Sequence, residues 1–461
     1  MGKYFGTDGF RGEAGITLTA DHAYKVGRFL GWYYNMLRER NGDTNPARIV
    51  IGKDTRRSSY MFEYSLVAGL TASGADAYLL HVTTTPSVAY IARVDDFDCG
   101  IMISASHNPY YDNGIKLIDC YGEKMPEEIL LLVEDYIDGK LHVFDKDWPE
   151  LPFAHREHIG CTVDYVSGRN RYMGYLISLG IYSFKGVKVG LDCANGSASV
   201  CAKQIFTALG ARCYMLSDTP DGVNINDHCG STHPEELMQF VTDNGLDLGL
   251  AFDGDADRML AVDENGQLVD GDKVIAICAK RMLDEGTLAK NTAVVTVMSN
   301  MGFFKFCEEN GIACEKTAVG DRYVLERMLQ KGYNIGGEQS GHVIFLDYAT
   351  TGDGELSGVQ LLKTVVKSGK KLSQLAKIMT VYPQVLINVQ VTPEGKQKYN
   401  NDEYIISAVQ QAEMDLMGDG RVLVRVSGTE PLVRVMLEGK DLEKITRLGN
   451  RIADVVRERL S

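Results

Sequence analysis

Three stretches of the sequence repeat one pattern, in which an apolar, β-branched run ends in a polar loop and a helical pattern follows. They are RIVIGKDTR (48–56), VKVGLDCANG (187–196) and AVVTVMSNMG (293–302). Each helical pattern ends close to a glycine, the residue expected just after a helix. Strands that alternate with helices predict α/β domains with largely parallel sheets. The spacings are unequal, so we interpret the stretches as a diverged repeat of whole domains rather than a solenoid.

The C-terminal part of the chain follows a different pattern. LINVQVT alternates apolar and polar residues, and RVLVRVS and LVRVMLEG form a hairpin-like pair around SGTEP. Helical patterns cover residues 402–416 and the final stretch LEKITRLGNRIADVVRERL. We therefore predict an α/β fold of three related domains with mixed, mainly parallel sheets, followed by a small α+β domain with an antiparallel sheet. The predicted domains are residues 1–155, 156–258, 259–375 and 376–461.

Composition excludes several classes of protein. The net charge is −14 and the sequence has no basic stripe, which argues against a nucleic acid partner. No run approaches the length of an apolar membrane span, and the N-terminus lacks the apolar core of a signal peptide. The ten cysteines form no C-x-x-C motif. We expect reduced thiols in a cytoplasmic protein with no membrane partner.

The stretch IMISASHNPYYDNGIK (101–116) ends a buried-looking strand in Ser104 and Ser106. The Asn-Pro pair that follows forces a turn, because proline disfavours helical geometry in the residue before it. The serines therefore lie at a strand end, where α/β sheets place ligands. The G-x-S-x-G elbow of hydrolases is absent. The alternative is a Ser-Ala-Ser that merely caps the turn.

The stretch AFDGDADR (251–258) alternates Asp253, Asp255 and Asp257 with small residues. In an extended strand these carboxylates would lie about 7 Å apart, so the segment must curl to place them on one cation. A small, all-oxygen set favours Mg²⁺, and Arg258 offers a donor for phosphate. The alternative is a solvated acidic loop.

The stretch NIGGEQSGHVIF (334–345) carries Glu338, Ser340 and His342 at alternate positions. From an extended loop these side chains would project the same way, and together they suit the hydroxyls of a sugar. The alternative is an ordinary glycine-rich turn.

The stretch RVSGTEPLVR (425–434) places Ser427, Gly428 and Thr429 between Arg425 and Arg434. Backbone amides, hydroxyls and two guanidinium groups together form an anion site. The alternative is a hairpin turn with solvent-facing arginines. The N-terminal YFGTDGFRG, which carries Arg11, says little by itself.

Taken together, FGTDGFRG, ISASHNPYYDNGIK, DGDADR, GGEQSGH and RVSGTEPLVRV resemble, in order and spacing, the motifs of the α-D-phosphohexomutase superfamily. The resemblance runs from residue 4 to about residue 438. Within the superfamily, SASHNP, GEQSGH, SGTEPLVRVM and DYATTGDG are most similar to the bacterial phosphoglucosamine mutases. DGDADR departs from the usual DGDGDR, a small-for-small change expected to preserve the curl, and Phe10 stands where isoleucine is usual.

The resemblance implies four domains around a central cleft, a phosphoserine at Ser106, and one Mg²⁺ held by the three aspartates and the phosphate of Ser106. It implies a general acid or base at Lys116, which would act as a base if neighbours such as His107 or Arg11 depress its pKa; the alternative role is a phosphate contact. The other residues that it assigns bind the phosphosugar: Asp321, Arg322, Glu338, Ser340, Arg425, Ser427, Gly428, Thr429 and Arg434.

The implied reaction interconverts glucosamine 6-phosphate and glucosamine 1-phosphate through a hexose 1,6-bisphosphate, which also serves as activator, and feeds the synthesis of UDP-N-acetylglucosamine. The expected partner is the phosphosugar alone, bound by a monomer or a homodimer. Alternatives are a mutase that prefers glucose or mannose phosphates, a phosphohydrolase, and a phosphosugar-binding regulator without catalysis.

Overall fold

The computed structural model describes residues 2–6, 8–426 and 431–460. They form two compact units. The first unit comprises the chain through Met298 together with Ile312–Ile378, and the second comprises Ser299–Gly311 with the chain from Met379 onwards.

The strands are, in chain order, β1 (Phe5–Gly6), β2 (Gly9–Glu13), β3 (Arg48–Lys53), β4 (Asp76–Val82), β5 (Cys99–Ile103), β6 (Asp112–Asp119), β7 (His142–Val143), β8 (Lys146–Asp147), β9 (Thr162–Asp164), β10 (Lys188–Asp192), β11 (Arg212–Leu216), β12 (Leu248–Phe252), β13 (Met259–Asp263), β14 (Leu268–Val269), β15 (Thr292–Thr296), β16 (Ala313–Thr317), β17 (Ile335–Gly337), β18 (Val343–Phe345), β19 (Gln384–Gln390), β20 (Gly420–Val426) and β21 (Leu432–Gly439).

The α-helices are α1 (Ala20–Arg40), α2 (Arg57–Ala72), α3 (Thr85–Val94), α4 (Glu127–Ile137), α5 (Val166–Ser178), α6 (Ala202–Ala208), α7 (Glu235–Asp243), α8 (Gly271–Asp284), α9 (Met301–Glu309), α10 (Asp321–Lys331), α11 (Gly354–Ser368), α12 (Leu372–Leu375), α13 (Pro393–Lys398), α14 (Glu403–Leu416) and α15 (Leu442–Leu460).

The three larger sheets of the first unit share one arrangement of strands. Their orders are β1-β2-β6-β5-β3-β4-β9, β11-β10-β12-β13-β14 and β16-β15-β17-β18. In each sheet a central strand (β3, β10 or β15) has a parallel neighbour on both sides, and an antiparallel strand (β6, β13 or β18) then follows. The central strands are the three similar stretches of the sequence. The diverged repeat and the mixed α/β sheets are therefore confirmed.

Burial explains why the central strands read as continuous apolar runs. Ile49, Val50 and Ile51 of β3 are fully buried, and every residue of β15 is buried. Strands covered by helices on both faces cannot alternate apolar and polar residues. A parallel neighbour also requires a crossover connection, whereas an antiparallel neighbour follows after a short loop.

The second unit contains the predicted antiparallel sheet, in the order β19-β21-β20. The apolar side chains of α15 recur every three or four residues, at Ile445, Leu448, Ile452 and Val456. They pack with the buried residues of β21 in one core. The helices predicted at 402–416 and at the end of the chain are α14 and α15.

Within the described part of the chain, no helix combines the length and the apolar character needed to cross a membrane.

Candidate active site

Three loops of the first unit occupy the same position in the repeated sheet. Each connects a parallel neighbour of the central strand to the antiparallel strand that follows it. The serine loop (residues 104–111) joins β5 to β6, the acidic loop (253–258) joins β12 to β13, and the sugar loop (338–342) joins β17 to β18. Each loop leaves the carboxyl end of a strand whose central neighbour is parallel to it. Ligands of α/β sheets bind at this end.

Ser106 lies buried in the serine loop with a left-handed backbone, its φ being 53°. Its hydroxyl donates to Oδ2 of Asp253 at 2.5 Å, and its backbone N–H donates to Oγ of Ser104 at 2.9 Å. A residue other than glycine in this conformation costs about 1–2 kcal/mol, so the surrounding structure must hold it. Ser104 thus serves the backbone of the loop, whereas the hydroxyl of Ser106 faces the carboxylates.

The acidic loop has the predicted curl. The N–H of Ala256 donates to the carbonyl of Asp253 at 3.1 Å, and Ala256 has a φ of 57°. Asp253, Asp255 and Asp257 each place a carboxylate oxygen within 4.8 Å of the other two. Alanine therefore permits the turn for which glycine is usual in the resembled family.

The chemistry of these aspartates fits a divalent cation. Oδ1 of Asp255 and Oδ1 of Asp257 are buried and have no hydrogen-bond partner among the described residues. Burial, together with Asp257 and Asp255, raises the pKa of Asp253 well above its usual range. Clustered carboxylates with unsatisfied oxygens form the all-oxygen set that Mg²⁺ prefers.

Lys116, on β6, reaches the same carboxylates. Its ammonium donates to Oδ2 of Asp255 and lies 3.5 Å from Oδ2 of Asp257. Burial by itself lowers the pKa of Lys116, but Asp255 and Asp257 outweigh burial and Arg11 and hold the pKa above its usual value. The condition under which Lys116 would act as a base, a depressed pKa, is therefore not met in this arrangement, because the nearest charges are carboxylates. Lys116 is an ammonium group at this site.

His107 joins the serine loop to the acidic loop. Arg258 donates from Nη1 to Nδ1 of His107 at 3.1 Å, and Oγ of Ser106 lies 3.4 Å from the same nitrogen. Burial, followed by the charges of Arg258 and Arg11, lowers the pKa of His107 to about 4. The imidazole is therefore neutral near pH 7 and accepts through Nδ1.

A cavity of about 220 Å³ opens beside these groups. Its lining carries the guanidinium groups of Arg11 and Arg258 and the carboxylates of Asp8, Asp321 and Glu338. A phosphosugar presents an anionic phosphate and several hydroxyl donors, so a lining of both signs matches it. A neighbouring cavity of about 180 Å³ shares Asp8, Asp257, Asp321 and His342, and Arg322 also lines it.

The sugar loop is a tight turn, so the expectation of an extended loop is wrong. The N–H of Glu338 donates to the carbonyl of His342 at 2.9 Å, and the N–H of Gly341 donates to the carbonyl of Glu338 at 3.0 Å. Glu338 and His342 line the larger cavity, while Ser340 is exposed at the turn and lines neither cavity. Alternation places side chains on one face only in an extended chain, and the two flanking strands pair here as a hairpin.

In the second unit, Arg425 of β20 and Arg434 of β21 are directly opposite each other. Burial and the charge of Arg434 lower the pKa of Arg425. Like charges that face each other across a sheet are destabilising, and a bound anion removes the conflict. Ser427, Gly428 and Thr429, which were predicted to complete this site, lie outside the described residues.

Comparison with known proteins accounts for the whole chain. Models of the phosphoglucomutase/phosphomannomutase family match four segments: alpha/beta/alpha domain I at residues 2–142, domain II at 171–266, domain III at 270–382 and the C-terminal domain at 386–455. The phosphoglucosamine mutase of Lachnospira eligens is 58% identical over 459 residues, which cover 100% of this chain and 99% of that protein. The chain belongs to the phosphoglucosamine mutase family of the α-D-phosphohexomutases.

A second relative agrees with this membership, and solved structures share the fold. The phosphoglucosamine mutase of Brevibacillus brevis is 50% identical over 460 residues, covering 100% of both chains. A phosphoglucomutase/phosphomannomutase family protein of Burkholderia thailandensis has the same fold, with a TM-score of 0.79, 23% identity and coverage of 100% of this chain and 99% of that one. The N-acetylphosphoglucosamine mutase of Aspergillus fumigatus, solved with GlcNAc-6P and magnesium, gives a TM-score of 0.69 at 17% identity, covering 99% and 96%.

Some residues at this family site were missed by sequence reasoning. Asp8 lines both cavities and lies 3.4 Å from the ammonium of Lys124, which also donates to Asp321 at 2.8 Å. Arg56 and Asn226 contact the backbone of the serine loop. The polar end of RIVIGKDTR was a sequence signal for Arg56, because residues that follow a central strand lie at the end of the sheet where ligands bind. Asn226 lies in a loop whose sequence carries no comparable signal.

Proposed function

We propose that this chain interconverts glucosamine 6-phosphate and glucosamine 1-phosphate, with Ser106 as the phosphoryl carrier and a hexose 1,6-bisphosphate as the intermediate. One observation carries the proposal: the hydroxyl of Ser106 contacts a buried cluster of carboxylates beside a cavity lined by Arg11 and Arg258. Relatives that are 50–58% identical over their whole length bear the name phosphoglucosamine mutase.

The cation that we assign to this site is Mg²⁺, one per chain. Asp253, Asp255 and Asp257 would hold it, together with the phosphate of Ser106. When bound, it supplies positive charge that neutralises the oxygens of the phosphoryl group.

The chain's own groups position the phosphoryl group for transfer. In the first half-reaction the bond between phosphorus and Oγ of Ser106 breaks, and a bond forms to the free hydroxyl of the hexosamine phosphate. In the second half-reaction the other phosphoryl group of the bisphosphate returns to Ser106. Lys116, as an ammonium, donates a hydrogen bond to the oxygens in transfer and stabilises their charge. The proton that leaves the sugar hydroxyl in the first half-reaction is balanced by the proton taken up at Oγ of Ser106, and this exchange is reversed in the second.

We assign binding residues within each unit. In the first unit, Arg11 and Arg258 contact the reacting phosphate, His107 orients Arg258, and Asp321, Arg322, Glu338, Ser340 and His342 contact the sugar. In the second unit, the phosphate that does not react is held by Arg425, Ser427, Gly428, Thr429 and Arg434. The four-domain division at residues 155, 258 and 375 and the monomer or homodimer remain predictions.

Mass spectrometry of the purified protein tests the carrier. We expect one phosphoryl group on the peptide that contains Ser106, and we expect Ser106→Ala to lower kcat by about 1,000-fold or more. Ser178, exposed at the end of α5, provides the control: Ser178→Ala should keep the wild-type rate. Normal turnover by Ser106→Ala would rule out the mechanism.

A substrate panel tests the sugar preference. The kcat/KM values for the 6-phosphates of glucosamine, glucose and mannose are compared with a hexose bisphosphate as activator, and we expect the highest value for glucosamine 6-phosphate. A higher value for glucose or mannose would reassign the substrate within the same chemistry. Release of inorganic phosphate that outpaces isomerisation would indicate a phosphohydrolase, and binding without turnover would indicate a regulator.

A further inference from the structure

The backbone of the serine loop is held by the side chain of Arg56, which follows β3 and is completely buried. Nη2 of Arg56 donates to the carbonyls of Ser106 and Asn108, both at 2.9 Å, and Nη1 donates to the carbonyl of Pro109. The guanidinium therefore spans the loop on the C-terminal side of the serine.

Asp54 fixes the orientation of the Arg56 guanidinium. Its carboxylate accepts from Nε of Arg56 at 2.8 Å and from the backbone N–H of Arg56 at 3.0 Å. The same carboxylate accepts from the hydroxyl of Ser104 at 2.8 Å, and Oγ of Ser104 accepts from the N–H of Ser106. The N–H of Ser106 is thus held through Ser104 by Asp54, and the carbonyl of Ser106 is held by Arg56, which Asp54 orients.

Asn226 adds a contact from the loop that follows β11. Its Nδ2 donates to the carbonyl of Ser106 at 2.9 Å and to the carbonyl of Asn108 at 3.1 Å. Two carbonyls of the serine loop therefore each accept a hydrogen bond from both Arg56 and Asn226. This sharing restrains the peptide unit that determines where the hydroxyl of Ser106 points.

We propose that Arg56, oriented by Asp54, is a positioning residue for phosphoryl transfer. It holds the left-handed backbone of Ser106 so that Oγ stays at the acidic loop whether or not it carries a phosphoryl group. The inference rests on the proposed function, because it requires Ser106 to be the carrier. The role needs arginine, since a planar fork with five donors reaches three carbonyls and a carboxylate together, whereas the ammonium of lysine has three donors at one point.

Arg28 provides a matched control in the same unit. It is also buried, and it donates to the carbonyls of Ala72, Leu151 and Pro152 at 3.1, 2.6 and 3.1 Å. Its contacts lie on α2 and the chain after β8, away from the serine loop. Arg28→Lys therefore removes the same kind of carbonyl contacts without touching Ser106.

The experiment compares Arg56→Lys with Arg28→Lys as purified, full-length proteins. For Arg56→Lys we expect kcat to fall by about 100-fold while KM changes by less than about threefold, because misplacement of the carrier affects transfer rather than binding. The rate at which glucose 1,6-bisphosphate phosphorylates the dephosphorylated protein at Ser106 should fall in parallel. Arg28→Lys should lower the melting temperature and leave both rates within about twofold of wild type.

Asn226→Ala keeps the proposal falsifiable if Arg56→Lys does not fold. It removes one of the two donors to the carbonyl of Ser106, and we expect kcat to fall by about 5- to 10-fold with KM unchanged. A kcat within twofold of wild type in every folded variant, or an equal loss in Arg28→Lys, would overturn the inference. Absence of a phosphoryl group on Ser106 in the active wild-type enzyme would instead overturn the proposed function, and the inference with it.

Discussion

The serine loop and the acidic loop occupy equivalent positions in two related sheets, yet their backbones are held differently. Each contains a left-handed residue other than glycine, Ser106 with a φ of 53° and Ala256 with a φ of 57°. The serine loop is held by side chains from elsewhere, Arg56 and Asn226. The acidic loop is held by backbone contacts, from its own turn and from Gly354, whose N–H donates to the carbonyl of Ala256 at 2.9 Å.

The difference follows from what each loop does in the proposed reaction. The serine loop must keep one hydroxyl in place while its charge and bulk change at every half-reaction, so external donors restrain it. The acidic loop must keep three carboxylates close together. The repulsion therefore lies between its side chains, and nearby cations reduce that repulsion. Lys116 supplies part of that positive charge. The same strand-to-strand connection thus holds a reacting hydroxyl in one sheet and a cluster of carboxylates in another.

The largest effect is expected from loss of charge in the acidic loop. Asp255→Asn keeps the shape of the side chain but removes a ligand, and we expect weaker binding of Mg²⁺ and a loss of about 1,000-fold in kcat. Magnesium titration of activity and calorimetry with Mg²⁺ measure the two effects. Chelation of the metal from the wild-type protein should reproduce the loss of activity.

Asp263, at the other end of the β12–β13 hairpin, supplies the control for this variant. Its buried carboxylate accepts from the N–H groups of Asn265 and Gln267, both at 2.9 Å. Asp263→Asn should change stability without changing the affinity for Mg²⁺. Equal magnesium affinities in wild type and Asp255→Asn would show that the acidic loop does not hold the cation.

An intermediate effect is expected where the two loops touch. A Cβ at Gly254 would lie 2.5 Å from the carbonyl oxygen of Ser106 and 2.9 Å from Nδ2 of Asn226. Gly254→Ala must therefore push the loops apart, and we expect kcat to fall by about 10- to 100-fold. Steady-state kinetics measure the loss. Gly174→Ala is the control, since a Cβ there has nothing within 4 Å; a Gly254→Ala enzyme with wild-type kcat would show that the contact between the loops is not required.

The smallest effect is a pH dependence of stability at His107. The pKa of His107 is about 4 in the folded protein, below its ordinary value of 6.5. Between these values the unfolded chain binds a proton that the folded chain does not, so this contribution to stability is present above pH 6.5 and is lost as the pH falls toward 4. Thermal melting across this range should therefore depend less on pH in His107→Gln than in the wild type. Identical slopes would mean that the folded protein protonates His107 as readily as the unfolded chain.

Much of the fold was predictable because it depends on local patterns. The three central strands, the terminal helix and the antiparallel pair around SGTEP were recognisable from apolar periodicity and turn residues. The aspartates of the acidic loop were recognisable because their spacing and their small neighbours carry the chemistry. The tight turn of the sugar loop was not predicted, because the alternation of GGEQSGH is identical in an extended loop and in a tight turn.

The sequence by itself determined which residue types stand at the ends of the repeated strands, and hence the family and the candidate carrier. The tertiary structure decided how those residues act on one another. Ser106 and Asp253 are 147 residues apart, Ser106 and Asn226 are 120 apart, and Arg56 lies 50 residues before the serine that it holds. Arg56 reaches the serine across neighbouring strands of one sheet. The contacts of Ser106 with Asp253 and Asn226, and the carboxylates that raise the pKa of Lys116, arise only when separate sheets pack together, since hydrogen bonds and charge interactions depend on distance in space.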